Sequence, residues 1–374
     1  MKLLICGDTV PTAISAPYFK SGDTEALFSD VLPLFKAADR VLVNLECALT
    51  ETEGRIPKCG PNLKGPVESA ETLKKAGVTD VGLANNHMFD FGLQGMLDTI
   101  EAVEKAGINW TGAGKNVEDS RKPLVMEFGG KTLAIIAVVE HEYTYALDDQ
   151  MGATPFDPFE TITDVYEAKK KYDYVIVTYH GAKEQCRYPS PRLMKACRAM
   201  VHMGADAVLC QHSHIIGCYE KYEDGLILYG QGNFNFLKYG AEVEGWSEGL
   251  IASIDVSEDE HKLDFEFIPV VEADTGIRLA NKEEADEINK GIAERNAMLM
   301  DGTWINGWRA FCESMRAGYE NSVYNCVADA ASVRRREHFA HYLDCEAHTD
   351  VYRELFRTWH NLGINTPEEI EGFE

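Results

Sequence analysis

Apolar residues in this chain fall into short runs that alternate with segments of helical period. Residues 2–6 form the first such run and break at Gly7-Asp8. A short apolar run bounded by turn residues reads as a buried strand. Leu27, Phe28, Val31, Leu32 and Phe35 then recur at helical spacing, predicting a helix over 23–38. A second strand, 40–46, ends on Glu46. Residues 50–66 carry repeated Gly and Pro and read as a loop. A helix over 67–76 closes at Gly77, and a third strand, 79–84, leads into Asn85-Asn86-His87. Further on, the pattern predicts helices over 93–106, 159–171 and 191–203, with Pro191 at the favoured first-turn position. Strands are predicted over 132–139, 174–179 and 207–210, the first ending at Glu140-His141. Residues 225–230, 250–256 and 263–271 also read as strands, the last two as an antiparallel finish.

From about Asp274 strand-like runs stop and amphipathic helix takes over. Strand–helix alternation with an antiparallel finish predicts mixed α/β packing over 1–272, followed by a helical C-terminal extension over 273–374. Trp304, Trp308, Phe311 and Tyr319 fit the core of that extension. Arg334-Arg335-Arg336 is too short a basic run to mark a polyanion site, unless the extension folds over a cleft.

What stands at the end of each strand changes the picture. Asp8, Glu46, Asn86 with His87, His180, and His212 with His214 follow successive apolar runs. Ligand sites of open α/β sheets lie outside the carboxyl ends of the strands. His212 and His214 are two residues apart, so on extended backbone both rings project to one side and serve one metal or two adjacent ones. Each residue also has a plainer reading: Asp8 as a turn cap, Asn85 or Asn86 as a left-handed turn residue, His87 as a bonded core histidine. Glu46 is the most telling, because a carboxylate ending an apolar strand is costly to bury unless paired or metal-bound. Oxygen and imidazole donors together suit Mn²⁺, Fe²⁺ or Zn²⁺, one ion or a pair. His141, His202, His261, His338, His341, His348 and His360 lie outside the pattern and read as ordinary histidines. Gly230-Gln231-Gly232-Asn233 reads as a tight turn supporting the His212 loop.

Composition narrows the partners. The 36 basic residues against 61 acidic ones leave a net charge of −25, which argues against nucleic acid or an anionic membrane surface. The 10 cysteines include no C-x-x-C pair, and several sit in apolar runs, as befits a reducing compartment. The N-terminal apolar run is too short for a signal peptide, and no stretch approaches a membrane span. A cytoplasmic protein is the expectation.

The blocks Gly7-Asp8, Asn44-Leu45-Glu46, Asn85-Asn86-His87-Met88-Phe89-Asp90-Phe91-Gly92, His180-x-x-x-Glu184, His212-Ser213-His214 and Tyr229-Gly230-Gln231-Gly232-Asn233-Phe234 resemble, in order and spacing, the CapA-type capsule-synthesis proteins. Those poly-γ-glutamate synthesis proteins share the calcineurin-like metallophosphoesterase fold, so the resemblance implies an α/β fold built as a mixed β-sheet sandwich flanked by helices. The resemblance covers about residues 1–272. It implies that Asp8 binds a first metal, that Glu46 bridges two, that Asn86, His180 and His212 complete the second, and that His214 returns to the first. It leaves His87 to donate a proton to a leaving group or clamp a phosphoryl oxygen, with Asp90 orienting it from one helical turn away. Glu184 falls to the substrate rim, beside Asn85 as a supporting residue. Two positions depart from the pattern: Val10 replaces a histidine usual two residues after the first aspartate, and Gly181 replaces an aromatic usual after His180.

The function implied is metal-dependent hydrolysis of a phosphoester, a metal-bound hydroxide attacking phosphorus. Its alternatives are non-hydrolytic handling of an anionic polymer such as poly-γ-glutamate, a degenerate metal-binding domain, and cleavage of a γ-linked amide. The substrate is thus a small molecule or an anionic polymer, with no nucleic acid partner.

Overall fold

The computed structural model describes residues 1–140, 143–237, 243–257, 263–328 and 332–356; His141, His261 and His360 lie outside them. Two mixed sheets face each other. The 8-stranded sheet runs in the order Ile277–Leu279, Leu263–Glu272, Glu248–Val256, Lys2–Thr9, Arg40–Leu45, Asp80–Gly82, Asn109–Thr111, and Asn233–Asn235 lies parallel to the far end of Lys2–Thr9. The 6-stranded sheet runs Tyr219–Tyr222, Gly225–Leu228, Ala207–Gln211, Tyr174–His180, Lys131–Val139, Leu124–Phe128.

Strand side chains alternate between faces, and the burial follows that period. Leu3 and Ile5 meet Leu133, Ile135, Ile176 and Leu209 between the sheets. Leu4 and Cys6 face outward into a cluster with Phe28, Leu73 and Met96. Val175, Val177 and Val208 pack outward against Leu193, Cys197 and Met200 of helix Pro191–His202. The result is a helix–sheet–sheet–helix sandwich, with each buried Leu or Val contributing about 1.5–3 kcal/mol.

The predicted helix over 23–38 is broken. Thr24–Phe28 stops where Ser29 takes φ 40°, and a short 3-10 turn leads to Leu32–Ala37. Several short strands escaped the pattern, among them Leu124–Phe128, Tyr219–Tyr222 and Ile277–Leu279. These three lie at sheet edges, where one side stays wet and the apolar signal thins. The last means that the sheet runs on past residue 272.

Helices Lys282–Asp301, Trp304–Val327, Val333–Asp344 and Glu346–Leu355 form the C-terminal region. Ile288 and Ile292 join the cluster between the sheets, and Trp308, Cys312, Tyr319 and Val351 pack with Cys186. The last two helices close over the carboxyl ends of the strands. Among the described residues, no helix is long and apolar enough to cross a membrane.

Candidate metal centre

The first strand is bent where the site begins. Its register against Arg40–Leu45 shifts between Cys6 and Asp8, a bulge that re-aims the following side chain. Gly7 sits at the bend because a Cβ there would lie 2.3 Å from the Gly232 carbonyl oxygen. Asp8, now wholly buried, accepts from Asn44 Nδ2 at 2.7 Å and from the His212 backbone N–H at 3.2 Å. The same Asn44 amide donates to His180 Nδ1 at 3.1 Å, and Asn85 Nδ2 donates to Asn44 Oδ1 at 3.1 Å. Asn85 also caps the Leu45 carbonyl at 2.8 Å, so it braces the neighbouring strand ends.

His180 ends its strand and donates from Nε2 to Asn86 Oδ1 at 2.8 Å, with Glu46 Oε1 at 3.3 Å. His212 and His214 do not lie on extended backbone: their φ angles are 76° and 58°. Left-handed backbone costs a non-glycine residue about 1–3 kcal/mol and persists only where its surroundings enforce it. The turn still brings both rings inward, with centroids 5.7 Å apart, and His212 stands 4.8 Å from His180. His214 Nδ1 meets Asn233 Oδ1 at 3.0 Å and Asp8 Oδ2 at 3.4 Å, while its ring lies against Trp246. The Gly230–Asn233 stretch is therefore a turn that enters strand Asn233–Asn235, and it touches His214 directly.

Ligand atoms of Asp8, Glu46 and His180 lie within 4.8 Å of one another, as do those of Glu46, His212 and His214. Glu46 belongs to both groups. This grouping sets His214 beside His212, although its contact with Asp8 persists. Glu46 is wholly buried, and neither of its oxygens makes a hydrogen bond among the described residues. Burial and then the Asp8 charge push its carboxyl well above the usual range. Burial works the same way on Asp8, but the His214 hydrogen bond and the His180 and His214 charges outweigh it and hold Asp8 at about 2. Burial would lower His214, yet the Glu46 and Asp8 carboxylates raise it to about 9. A cluster of buried oxygen and imidazole donors in which, among the described residues, both Glu46 oxygens lack a hydrogen bond fits divalent cations.

His87 leans on Asp90, Nδ1 to Oδ2 at 2.6 Å, across a turn rather than within a helix, since the helix starts at Gly92. Asp90 also accepts from the Leu63 N–H at 2.6 Å and pairs with Lys58. Lys58 further donates to the Asn86 carbonyl at 3.2 Å. Burial, and next the Lys58 charge, lower His87 to about 4, so the resting ring is neutral. Asp90 then fixes its proton at Nδ1 and leaves Nε2 for a substrate. Glu184 is half-exposed, with Oε1 3.8 Å from His212 Nε2. Val10 is buried among Leu45 and Phe19, so the position usual for a further histidine is core.

Asn44, Asn233 and Lys58 hold the site together without having been singled out in the sequence. Asn44 and Asn233 lie inside the motif blocks, which was the available signal; Lys58 comes from a loop with none. Arg334 and Arg335 line an outer cavity of about 800 Å³, mixed there with Glu337 and Asp344.

Residues 2–237 match the model of the family described as bacterial capsule synthesis protein PGA_cap. The chain belongs to the PGA_cap family. The capsule biosynthesis protein CapA of Bacillus anthracis is 33% identical to it over 222 residues, covering 57% of this chain and 54% of that protein. The PGA biosynthesis protein CapA of Bacillus subtilis (strain 168) is 32% identical over 216 residues, 57% of each chain. This PGA_cap chain thus spans about half the length of the curated relatives it matches. Among solved structures it is similar to a hypothetical protein from Thermus thermophilus, with TM-score 0.47 and 17% identity over 73% of this chain and 100% of that one. A 5′-nucleotidase precursor from the same organism gives TM-score 0.44 and 13% identity, over 80% and 59% of the two chains.

Proposed function

We propose that this PGA_cap chain is a metal-dependent hydrolase acting on a phosphoester. The observation that carries the reading is Glu46, buried, common to both ligand groups and without a hydrogen bond of its own. Asp8, Glu46, Asn86, His180, His212 and His214 would hold the ions, Mn²⁺, Fe²⁺ or Zn²⁺ by donor type. Divalent cations bound there supply Lewis-acid polarisation and an acidified water. The chain's own residues do the rest. Asn44 orients Asp8 and His180 together, and Asn233 orients His214. Asp90 keeps the His87 proton at Nδ1, so Nε2 is bare at rest; it would accept the proton released by the attacking water and pass that proton to the leaving oxygen. Lys58 anchors Asp90 and sets its positive charge beside the Nδ1 side of His87.

A second reading is handling of an anionic polymer such as poly-γ-glutamate without turnover, favoured by the capsule and PGA biosynthesis names of the Bacillus relatives. Elemental mass spectrometry of protein purified without chelator, with turnover of bis(p-nitrophenyl) phosphate, separates them. The hydrolase reading expects roughly two transition-metal equivalents per chain, with both metal and turnover falling in His212→Ala. One equivalent would assign a mononuclear site, in keeping with Val10. Absence of metal after reconstitution with Mn²⁺ or Zn²⁺ would sink it.

A further inference from the structure

We propose that Lys183 is the centre of a second anion subsite, which holds a carboxylate or phosphate carried by the substrate beside the group that reaches the metal ligands. The inference rests on the hydrolase reading for what that first group is, and on independent geometry for the rest. Lys183 is only 8% exposed and lines a cavity of about 390 Å³. His212 and Asn86 stand on one wall of that cavity, and His341, Tyr342 and His348 on the other. Among the described residues its ammonium makes no hydrogen bond and no close ion pair; the Glu184 carboxylate, in ion-pair contact with His212, feels the Lys183 charge only at longer range. The side chain is held along a buried stem while its ammonium opens to the cavity, where the surrounding protein screens a charge less than bulk water does. An anion entering the cavity meets that charge without displacing a close internal partner.

The backbone is built to hold Lys183 there. Ala182 takes φ 122° and Gln185 φ 63°, so strained residues flank the Lys183-Glu184 pair. Such strain persists where packing enforces it, and it collects at ligand sites. The Gln185 N–H donates to the Ser213 carbonyl at 2.8 Å, tying this segment to the His212–His214 turn. On its other side Cys186 packs with Trp308, Cys312, Tyr319 and Val351, so the segment is wedged between the metal centre and the C-terminal helices. Those helices are themselves fixed: Asp350 accepts from Ser190 Oγ at 2.5 Å and from Arg192 Nε at 2.8 Å. The subsite therefore combines a family-matched segment with a roof from outside the matched region. It selects substrates with two neighbouring anionic groups over those with one.

The test is calorimetric binding of two probes, γ-linked triglutamate and inorganic pyrophosphate, to the full chain, both metal-loaded and chelated. Wild type, Lys183→Met and Lys183→Arg are compared, with metal content measured in each. The expected result is binding of at least one probe to wild type, at least about tenfold weaker binding in Lys183→Met, recovery in Lys183→Arg, and equal metal content in all. Preference for triglutamate assigns the subsite to carboxylates, and preference for pyrophosphate to phosphates. Equal affinity in wild type and Lys183→Met overturns the proposal, as does binding of neither probe. So does loss of metal from Lys183→Met, which would make the lysine a support of the metal centre. If the protein holds no metal and turns over no ester, Lys183-dependent affinity in the chelated protein still stands, and only the hydrolase reading falls.

Discussion

Glu46 and Glu140 both follow apolar strands at the same end of the sandwich, and both are wholly buried. Their surroundings differ completely. Glu140 accepts from the Tyr179 hydroxyl and pairs with Arg192 at 2.6 Å, and Arg192 continues to Asp350 and thence to Ser190. Burial pushes the Glu140 carboxyl up, and Arg192 and Tyr179 pull against it. Glu46 has carboxylates and imidazoles around it but no lysine or arginine in ion-pair contact among the described residues. One carboxylate is neutralised from within the chain; the other has no lysine or arginine in contact with it among those residues and belongs to the candidate metal cluster. A buried strand-end carboxylate thus says that a positive partner exists, and only the fold says whether the chain supplies it.

The largest effect that would break this contrast is removal of the internal partner. Arg192→Met leaves Glu140 and Asp350 buried without compensation and should cost about 3–5 kcal/mol, measured by urea unfolding. A loss below about 1 kcal/mol would mean that Glu140 is protonated and the network is weak.

Gly181 sharpens the contrast at intermediate size. A Cβ there would lie 2.6 Å from Glu140 Oε2, so the Glu140 carboxylate crowds the position where an aromatic is usual. Gly181→Ala should destabilise by about 1–3 kcal/mol, and the Glu140→Ala background should relieve that cost. Equal costs in both backgrounds would show that the carboxylate is not what excludes a side chain.

The smallest effect is expected at Glu46 in chelated protein. Glu46→Gln should leave stability unchanged or raise it by about 1 kcal/mol, although Glu46 is as buried as Glu140. The pH dependence gives the sign. A carboxyl raised in the fold binds its proton more tightly there, so its contribution is full below the ordinary value of 4.5 and is lost as pH rises. Chelated wild type should lose stability with rising pH, and Glu46→Gln should flatten that slope. A steeper slope in the variant would contradict the charge arrangement described.

The same pair marks what the sequence makes legible. Strands with one face on each core are apolar throughout, and their terminal polar residues stand out, so Asp8, Glu46, His180, His212 and His214 could be found by reading where each run stops. Glu140 carried the same signature, ending the run over 132–139, but its partners come from far along the chain: Arg192 on a helix, and Asp350 160 residues after Ser190. No local pattern encodes such a meeting. The backbone at His212 and His214 departs from the sequence pattern for a related reason. Alternation implies extended geometry, whereas the left-handed turn is imposed by contacts to Asp8 and Asn233. Lys183 gives no signal in the sequence because a lysine in a loop is normally solvated; the C-terminal residues that line its cavity lie more than 150 positions away.

That closure has a consequence in time. All the side chains of the metal centre have been synthesised once residue 214 is made, yet His348 and Asp350, which complete and fasten the roof, follow more than a hundred residues later. At ordinary rates of synthesis that interval is on the order of ten seconds. During it the strand-end side chains of the nascent chain have no C-terminal helices beside them, so the cleft is open on a side that those helices later line.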